Sequence, residues 1–302
     1  MKESIHLPVT NESFEIYDFS GETNQALIDH WLPLHNDSAE RFANSDSLFH
    51  LHTHDVMEVF FFLGGSCEFF CEGKTYTLRP GDIVLIPPYA VHQAKVEDSS
   101  TYERMILNIS PRLLEDFTES DAELKKNIDY RHSQRAYVTR NEESFHEVIQ
   151  LLKQLIDHIK QGEGHHTFTL HYLLFQSMQM IFAPSTVKLP DMVEKDERLT
   201  SILTYIEDHL TDRDLNLASI SQAFHLNKHY FSHYFKEAMN LPVYRYILLK
   251  RLSNAIALMK KGNLTLEQVA IQSGFSDYSS FYRVFKNVYA RSPKKMQMEL
   301  TK

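Results

Sequence analysis

The chain of 302 residues has no uninterrupted apolar run of about 18 residues, the length at which a segment becomes a candidate membrane span. Its first ten residues, MKESIHLPVT, contain no apolar stretch of secretory-signal length. Both absences lead to the expectation of a soluble, cytoplasmic protein with no membrane partner. Cysteine is scarce: only Cys67 and Cys71 occur. They lie four apart in a strand-like run, where extended backbone holds them roughly 13 Å apart, too far for a disulfide. Two reduced, buried thiols are expected. Positive charge is also short. The formal net charge is −9, which over the whole chain speaks against a polyanionic partner.

That last shortage is local. From Glu197 to the end there are 15 Lys+Arg and 9 Asp+Glu, a balance of +6, and the residues before it carry −15. A basic tail on an acidic body suits phosphate binding at one end only. Within this tail one pattern occurs twice. LNLASISQAFHLNKHYFSHYFKEAMNLP runs from Leu215 to Pro242, and LTLEQVAIQSGFSDYSSFYRVFKNVYARSP from Leu264 to Pro293. Leu215, Leu217 and Ile220 recur as Leu264, Leu266 and Val269. Phe231, Phe235 and Lys236 recur as Phe281, Phe285 and Lys286. Each copy predicts a short amphipathic helix, a tight turn and a second helix of about three turns. In this helix-turn-helix layout the second helix enters the DNA major groove. Residues 243–261 contain neither Gly nor Pro and predict one connecting helix of about 27 Å. Such a connector places two recognition helices near one DNA turn, about 34 Å, apart.

Helix geometry selects the DNA-facing side chains. Asn227 caps the first recognition helix. Tyr230, Phe231, Tyr234 and Phe235 form its apolar face, leaving Lys228, His229, Ser232 and His233 toward DNA. In the second, Ser276 or Asp277 caps and Phe281, Phe285 and Val288 point inward. Tyr278, Ser279, Tyr282 and Arg283 then face outward. The bland alternative is a solvated polar face. Arg283 is the strongest reader, because a bidentate Arg–guanine pair is worth about 1–3 kcal/mol of discrimination. The first helix has no arginine on its reading face, so the second should carry more direct readout. Lys228, Lys236, Lys250, Arg251, Lys286 and Arg291 are candidate phosphate contacts.

Residues 199–298 resemble the AraC/XylS family of bacterial transcription regulators. The resemblance rests on KRLSNAIALM, on the L-x-x-V-A-x-x-x-G-F run ending at Phe275, and on SDYSSFYRVFKNVYARSPKKM. It implies a DNA-binding regulator, with activation the common mode, and the outward positions named above match those that contact bases in the family.

The first 110 residues predict β structure, with aromatic and β-branched runs broken at Gly64-Gly65 and Glu72-Gly73. Residues 111–183 shift to a helical period. Phe145, Val148, Leu152, Leu155, Ile156 and Ile159 make one apolar stripe and Phe168, Tyr172, Phe175, Met178 and Phe182 another. A turn at Gln161-Gly162-Glu163-Gly164 separates them. The stripes are expected to pair across a homodimer, with packing onto the barrel as the alternative. Domain limits follow at 1–183, a Pro-containing linker at 184–196, and 197–302.

The β region carries His52-x-His54-x-x-x-Glu58, then Gly81 to Pro87, with His92 five residues after that proline. On one strand His52, His54, Glu58, Phe60 and Phe62 share a face. This resembles the cupin family, in which three His and one Glu meet inside a β-barrel around a divalent metal. Tyr89 stands where the second motif has glycine. Three readings stay open: a metal site of the Zn, Fe, Mn or Ni type, a metal-free pocket for a small polar effector, and a structural remnant. The effector reading is preferred, with a sugar as the expected class. Phe49, Phe60, Phe62, Phe69 and Tyr89 are stacking or core candidates, and Trp31 a wall or anchor. The fold expected is α+β: a cupin-like barrel with two helices, then an all-α domain with two helix-turn-helix units joined by a long helix. The expected partners are double-stranded DNA, a small effector, a second copy of the chain and RNA polymerase. No cofactor is expected, the metal question aside. A metal-dependent enzyme with a DNA-binding tail is the competing class.

Overall fold

The computed structural model describes residues 2–7, 12–18, 51–96, 101–132, 137–140, 142–160, 167–183, 196–289 and 291–300. Trp31, Phe49, the turn at 161–164 and the linker residues 184–195 lie outside the described residues.

The N-terminal part is a two-sheet β structure. Its strands are β1 (Lys2–Leu7), β2 (Glu12–Asp18), β3 (Met57–Gly64), β4 (Cys67–Cys71), β5 (Lys74–Leu78), β6 (Asp82–Ile86), β7 (His92–Val96), β8 (Glu103–Ile109) and β9 (Tyr137–Arg140). The larger sheet has the order β1-β2-β8-β3-β6-β9 and the smaller β5-β4-β7, with every pairing antiparallel. Parity along β3 explains its unbroken apolar run. Phe60 and Phe62 face the smaller sheet and pack with Cys67, Phe69, Ala94 and Val96. Met57, Val59 and Phe61 face the other way, into a core closed by helices. A strand buried on both faces has no polar face to alternate with. The hairpin at Glu72-Gly73 has positive φ at both residues, 47° and 81°, as a tight turn with right-handed twist requires. Cys67 and Cys71 are buried and unbridged. Burial pushes the Cys67 thiol up to about 12, so it stays protonated.

The helices of that second core are α1 (Pro111–Ser120), α2 (Ala122–His132), α3 (Glu142–Lys160) and α4 (Thr167–Phe182). The first stripe does not face outward for pairing. Phe145, Val148, Leu152, Leu155 and Ile156 are at most 6 % exposed and join the core on the larger sheet, with Ile159 packed against it. The reason is that β3, β6 and β8 present a second apolar face that needs a cover. The second stripe splits: Met178 and Phe182 are buried, Phe175 is half-buried, and Phe168 and Tyr172 are exposed at 81 % and 53 %.

The C-terminal part consists of α5 (Glu197–Asp208), α6 (Leu217–Ala223), α7 (Lys228–Met239), α8 (Val243–Lys260), α9 (Leu266–Gln272), α10 (Tyr278–Tyr289) and α11 (Pro293–Leu300). The two repeats fold alike because their termini are built alike. Asn216 with Ser219, and Thr265 with Gln268, form reciprocal capping boxes at matching positions. Asn227 accepts from the backbone N–H groups of His229 and Tyr230. Asp277, rather than Ser276, caps α10 by accepting from the Ser280 N–H at 2.7 Å. Phe231 and Phe235 anchor one core, and Phe281 and Phe285 the other, all four fully buried. The 18-residue α8 is continuous and spans about 27 Å.

Candidate ligand site and nucleic-acid interface

The β region brings four chemistry-bearing residues together. His52, His54, Glu58 and His92 each offer a ligand atom, and these atoms all lie within 4.8 Å of one another. They do not converge by sharing one strand. β3 begins at Met57, so His52 and His54 precede it on a bent segment. His52 reaches the site by exchanging two backbone hydrogen bonds with His92, at 3.1 and 3.0 Å, as an isolated bridge. Alternation along a single strand therefore does not account for the grouping of His52 and His54 with Glu58, although the four side chains do converge. Between Ile86 and His92 the chain turns at Tyr89, whose φ is +66°. The position that the cupin pattern fills with glycine keeps the left-handed backbone with a tyrosine in it, at a cost of order 1 kcal/mol. Its N–H donates to the His54 carbonyl at 2.7 Å, tying the two halves of the site.

The electrostatics of the site are specific. His54 Nδ1 donates to the Val56 carbonyl and His92 Nδ1 to the Ala90 carbonyl, each at 3.0 Å. These bonds turn both Nε2 atoms inward. His54 Nε2 lies 3.0 Å from Glu58 Oε2, and His92 Nε2 lies 3.8 Å from the same oxygen. Burial works against charge on His54, but the hydrogen bond and the charge of Glu58 outweigh it and raise its pKa. The same pair holds Glu58 below its usual range against burial. His92 is the opposite case: burial first, then repulsion from His54, pushes it down to about 3, so it is neutral. Its Nε2 is then a buried lone pair with no hydrogen-bond partner.

Among the described residues, the buried acceptor Asn108 Oδ1 and the buried hydroxyl of Thr53, between His52 and His54 in the chain, also lack a partner. Asn108 sits directly across from Glu58 in the β3–β8 register. Sequence reasoning missed Asn108, and it missed the buried Arg104 four residues before it, whose guanidinium lies 5.9 Å from the Phe60 ring centroid. Reading β8 by parity finds both, since Tyr102, Arg104, Ile106 and Asn108 share the face turned to the smaller sheet. The aromatic candidates Phe60, Phe62 and Phe69 are barrel core, with Phe69 stacked on His92 at 6.0 Å and 15°.

A divalent metal fits this donor set. Three imidazoles and one carboxylate suit a first-row cation, and the two Nδ1 bonds to carbonyls are the outer contacts that such ligands use. The orphaned His92 Nε2 would be satisfied as a ligand to such an ion, whose positive charge would also balance the Glu58 carboxylate.

Of the residues expected to read DNA from α7, Lys228, His229 and His233 are exposed and Ser232 is half-buried. Asn227 is exposed, but its side-chain oxygen is committed to capping α7. Tyr230 does not join the apolar face. It is half exposed, stacks on Tyr234 at 6.0 Å and accepts from Arg198. On α10, Ser279 and Arg283 are exposed, while Tyr278 and Tyr282 are half-buried with ring centroids 6.1 Å apart. Lys236, Lys286 and Arg291, expected as phosphate contacts, are exposed.

Two of the phosphate candidates are buried instead. Arg251, 8 % exposed, donates to the Leu210 and Asp212 carbonyls at 2.9 and 2.6 Å, stapling the loop before α6 to α8. Lys250, 3 % exposed, pairs with Glu72 and Glu207 at 3.0 Å each and donates to the Tyr89 carbonyl at 2.7 Å. Burial disfavours its charge, yet the two carboxylates outweigh that and raise its pKa. Helix periodicity could not warn of this, because the partners come from 39 and more residues away.

The comparisons with known proteins agree with both halves. Residues 38–175 match the AraC-like ligand binding domain and residues 220–299 a helix-turn-helix domain. The chain is 28 % identical over 246 residues to the "probable transcriptional regulator LumQ" of Photobacterium leiognathi, covering 82 % of this chain and 91 % of that one. It is 25 % identical over 225 residues to the arabinose operon regulatory protein of Escherichia coli K12, covering 74 % and 73 %. It is 22 % identical over 246 residues to the HTH-type transcriptional activator RhaS of Escherichia coli, covering 80 % and 85 %.

Proposed function

The chain belongs to the AraC family of ligand-responsive, DNA-binding transcription regulators, which are not enzymes, and from that premise we propose that it is an activator switched by a small polyhydroxylated effector. One observation carries the effector class. His92 Nε2, beside Glu58, and Asn108 Oδ1, across from Glu58 in the sheet, are buried acceptors left without donors. A ligand that supplies hydroxyl donors removes both deficits, each costing about 1–3 kcal/mol when unmet. A sugar fits that demand. The relative named for an arabinose operon and the one named as an activator point the same way.

His52, His54, Glu58 and His92 line the effector site. Lys228, His229, Ser232, His233, Tyr278, Ser279, Tyr282 and Arg283 meet DNA, with Asn227 in support as the cap. The working unit is a homodimer in the cytoplasm that engages RNA polymerase. Phe168 and Tyr172, exposed one turn apart on α4, are the surface this reading assigns to pairing.

The effector class is tested by titrating the purified full-length protein with a panel of monosaccharides and polyols, following binding by calorimetry. Saturable binding to the wild type that disappears in Asn108→Leu supports it. A panel without any binder removes it. A second reading, a divalent cation held by the same four residues, is favoured by the inward Nε2 pair of His54 and His92 around Glu58. Stoichiometric metal in the purified protein, and a response lost on chelation and restored by metal, would put that reading in place of the first.

A further inference from the structure

The segments that carry the effector site also carry the contact with the DNA-binding domain. Site residues are at 52, 54, 58 and 92. Contact residues lie at 55, 72, 89 and 91, interleaved with them. The Val91 N–H donates to Glu72 Oε1 at 2.7 Å, and the Glu72 N–H donates back to the Val91 carbonyl at 3.0 Å. Glu72 in turn accepts from the Tyr246 hydroxyl at 2.7 Å and pairs with Lys250, both on α8. Tyr89 gives its N–H to His54 and accepts the Lys250 ammonium on its carbonyl. Asp55, next to His54, pairs with Lys260 at 2.8 Å, at the far end of α8. Lys250 and Lys260 are ten residues apart, about 15 Å along the helix. The grip therefore spans the connector of the two reading units.

Close packing accompanies it. A side chain at Gly73 would come within 2.5 Å of Leu199 and 3.1 Å of Met239, so α5 and α7 rest directly on that hairpin. Phe70 and Val91 of the β part belong to the same core as Phe231, Phe235 and Tyr246. The polar contacts line an interdomain cleft of about 490 Å³ that includes Glu72, Tyr89, Glu207, Lys250 and Asn254.

We infer that site occupancy and the docking of the DNA-binding domain form one linked equilibrium, transmitted by the Glu72–Lys250 and Asp55–Lys260 grip on α8. This rests on reading the four residues as the effector site. A buried ammonium tolerates docking only when all its acceptors are in place. Two of those acceptors, the Tyr89 carbonyl and Glu72, are positioned by the segment that ends in His92. An occupant held by His52, His54, Glu58 and His92 fixes the segments at 52–55 and 89–92, and so fixes the acceptors. Linkage makes the effect reciprocal. Docking does not act by covering the reading faces, since Lys228, His229, His233, Ser279 and Arg283 remain exposed in it. It acts by setting the orientation of α8 against the sensor.

Hydrogen exchange on the full-length protein tests the linkage without needing the effector. The paired substitution Glu72→Gln with Lys250→Met removes the Glu72–Lys250 half of the grip and leaves no buried charge orphaned, since Glu207, the other partner of Lys250, is exposed. Amide exchange at residues 89–92 should then rise at least fivefold. In the other direction, His54→Ala should raise exchange at residues 246–251 of α8 by a similar factor. Effects confined to the altered side in both variants, with the helical content intact, overturn the inference. Should the paired variant fail to fold, Lys260→Met removes only the exposed-rim pair, and unchanged exchange at residues 52–55 would overturn it equally. Loss of the sensor reading by other means, with reciprocal exchange intact, would leave the linkage standing.

Discussion

The two helix-turn-helix units are one design in two settings. Both use a capping box, an apolar pair on the recognition helix and a left-handed residue in the turn. The first unit shares its core with Phe70 and Val91 of the ligand-binding domain, whereas the apolar core of the second is built with α8 and α11. The first turns at His225, with φ +53°, and the second at Gly274, with φ +90°. On the proposed reading faces the first exposes His229 and His233 and the second Arg283. Under that proposal duplication divides labour: one copy is tied to the ligand-binding domain, and the other is better equipped to read bases.

The largest effect expected from that contrast is on cooperativity. Phe235→Ala and Phe285→Ala each remove a fully buried ring and should each cost about 3–5 kcal/mol. The first should also loosen the sensor, because its cavity opens into the shared core. The second should melt only its own unit. Denaturation followed separately by a sensor probe and a tail probe distinguishes them, and identical profiles for both variants would erase the contrast.

Next comes the turn. A Cβ at Gly274 would lie 2.5 Å from the Leu210 carbonyl oxygen, which is backbone and cannot swing away. Gly274→Ala should therefore destabilise by more than 1 kcal/mol. His225→Gly relieves a left-handed non-glycine residue and should change stability by no more than about 1 kcal/mol, in the favourable direction. Thermal unfolding of the pair checks both signs.

Readout is expected to differ by a smaller margin. Arg283→Ala should weaken binding to the cognate site by about 1–3 kcal/mol and relax the preference at one base pair. His233→Ala should cost less and leave the preference nearly intact. Affinities against single-base variants of the site decide this. A uniform loss across sequences would make Arg283 a phosphate contact.

Much of this organisation was legible in the chain because it is local. Helix periods, caps and the repeat fixed the C-terminal elements, including the unbroken α8. The set His52, His54, Glu58 and His92 was legible from spacing, though not its geometry, since the bridge from His52 to His92 is a contact across 40 residues of chain. What stayed hidden depends on distant partners. Lys250 and Arg251 look like exposed basic residues until Glu72, Tyr89 and Leu210 come to meet them. The stripe on α3 looks like a dimer face until the outer face of the larger sheet needs covering. Tyr89 looks like a broken motif until its backbone proves to be left-handed.

The central claim is that the four clustered residues sense and the duplicated tail binds. A reporter gene under the cognate promoter, read alongside operator affinity of the purified full-length protein, tests it most directly. Glu58→Ala should abolish the effector response while operator affinity stays within about threefold of the wild type, a difference under 1 kcal/mol. A full response in Glu58→Ala, or equal loss of response and of DNA binding by the folded variant, would contradict the account.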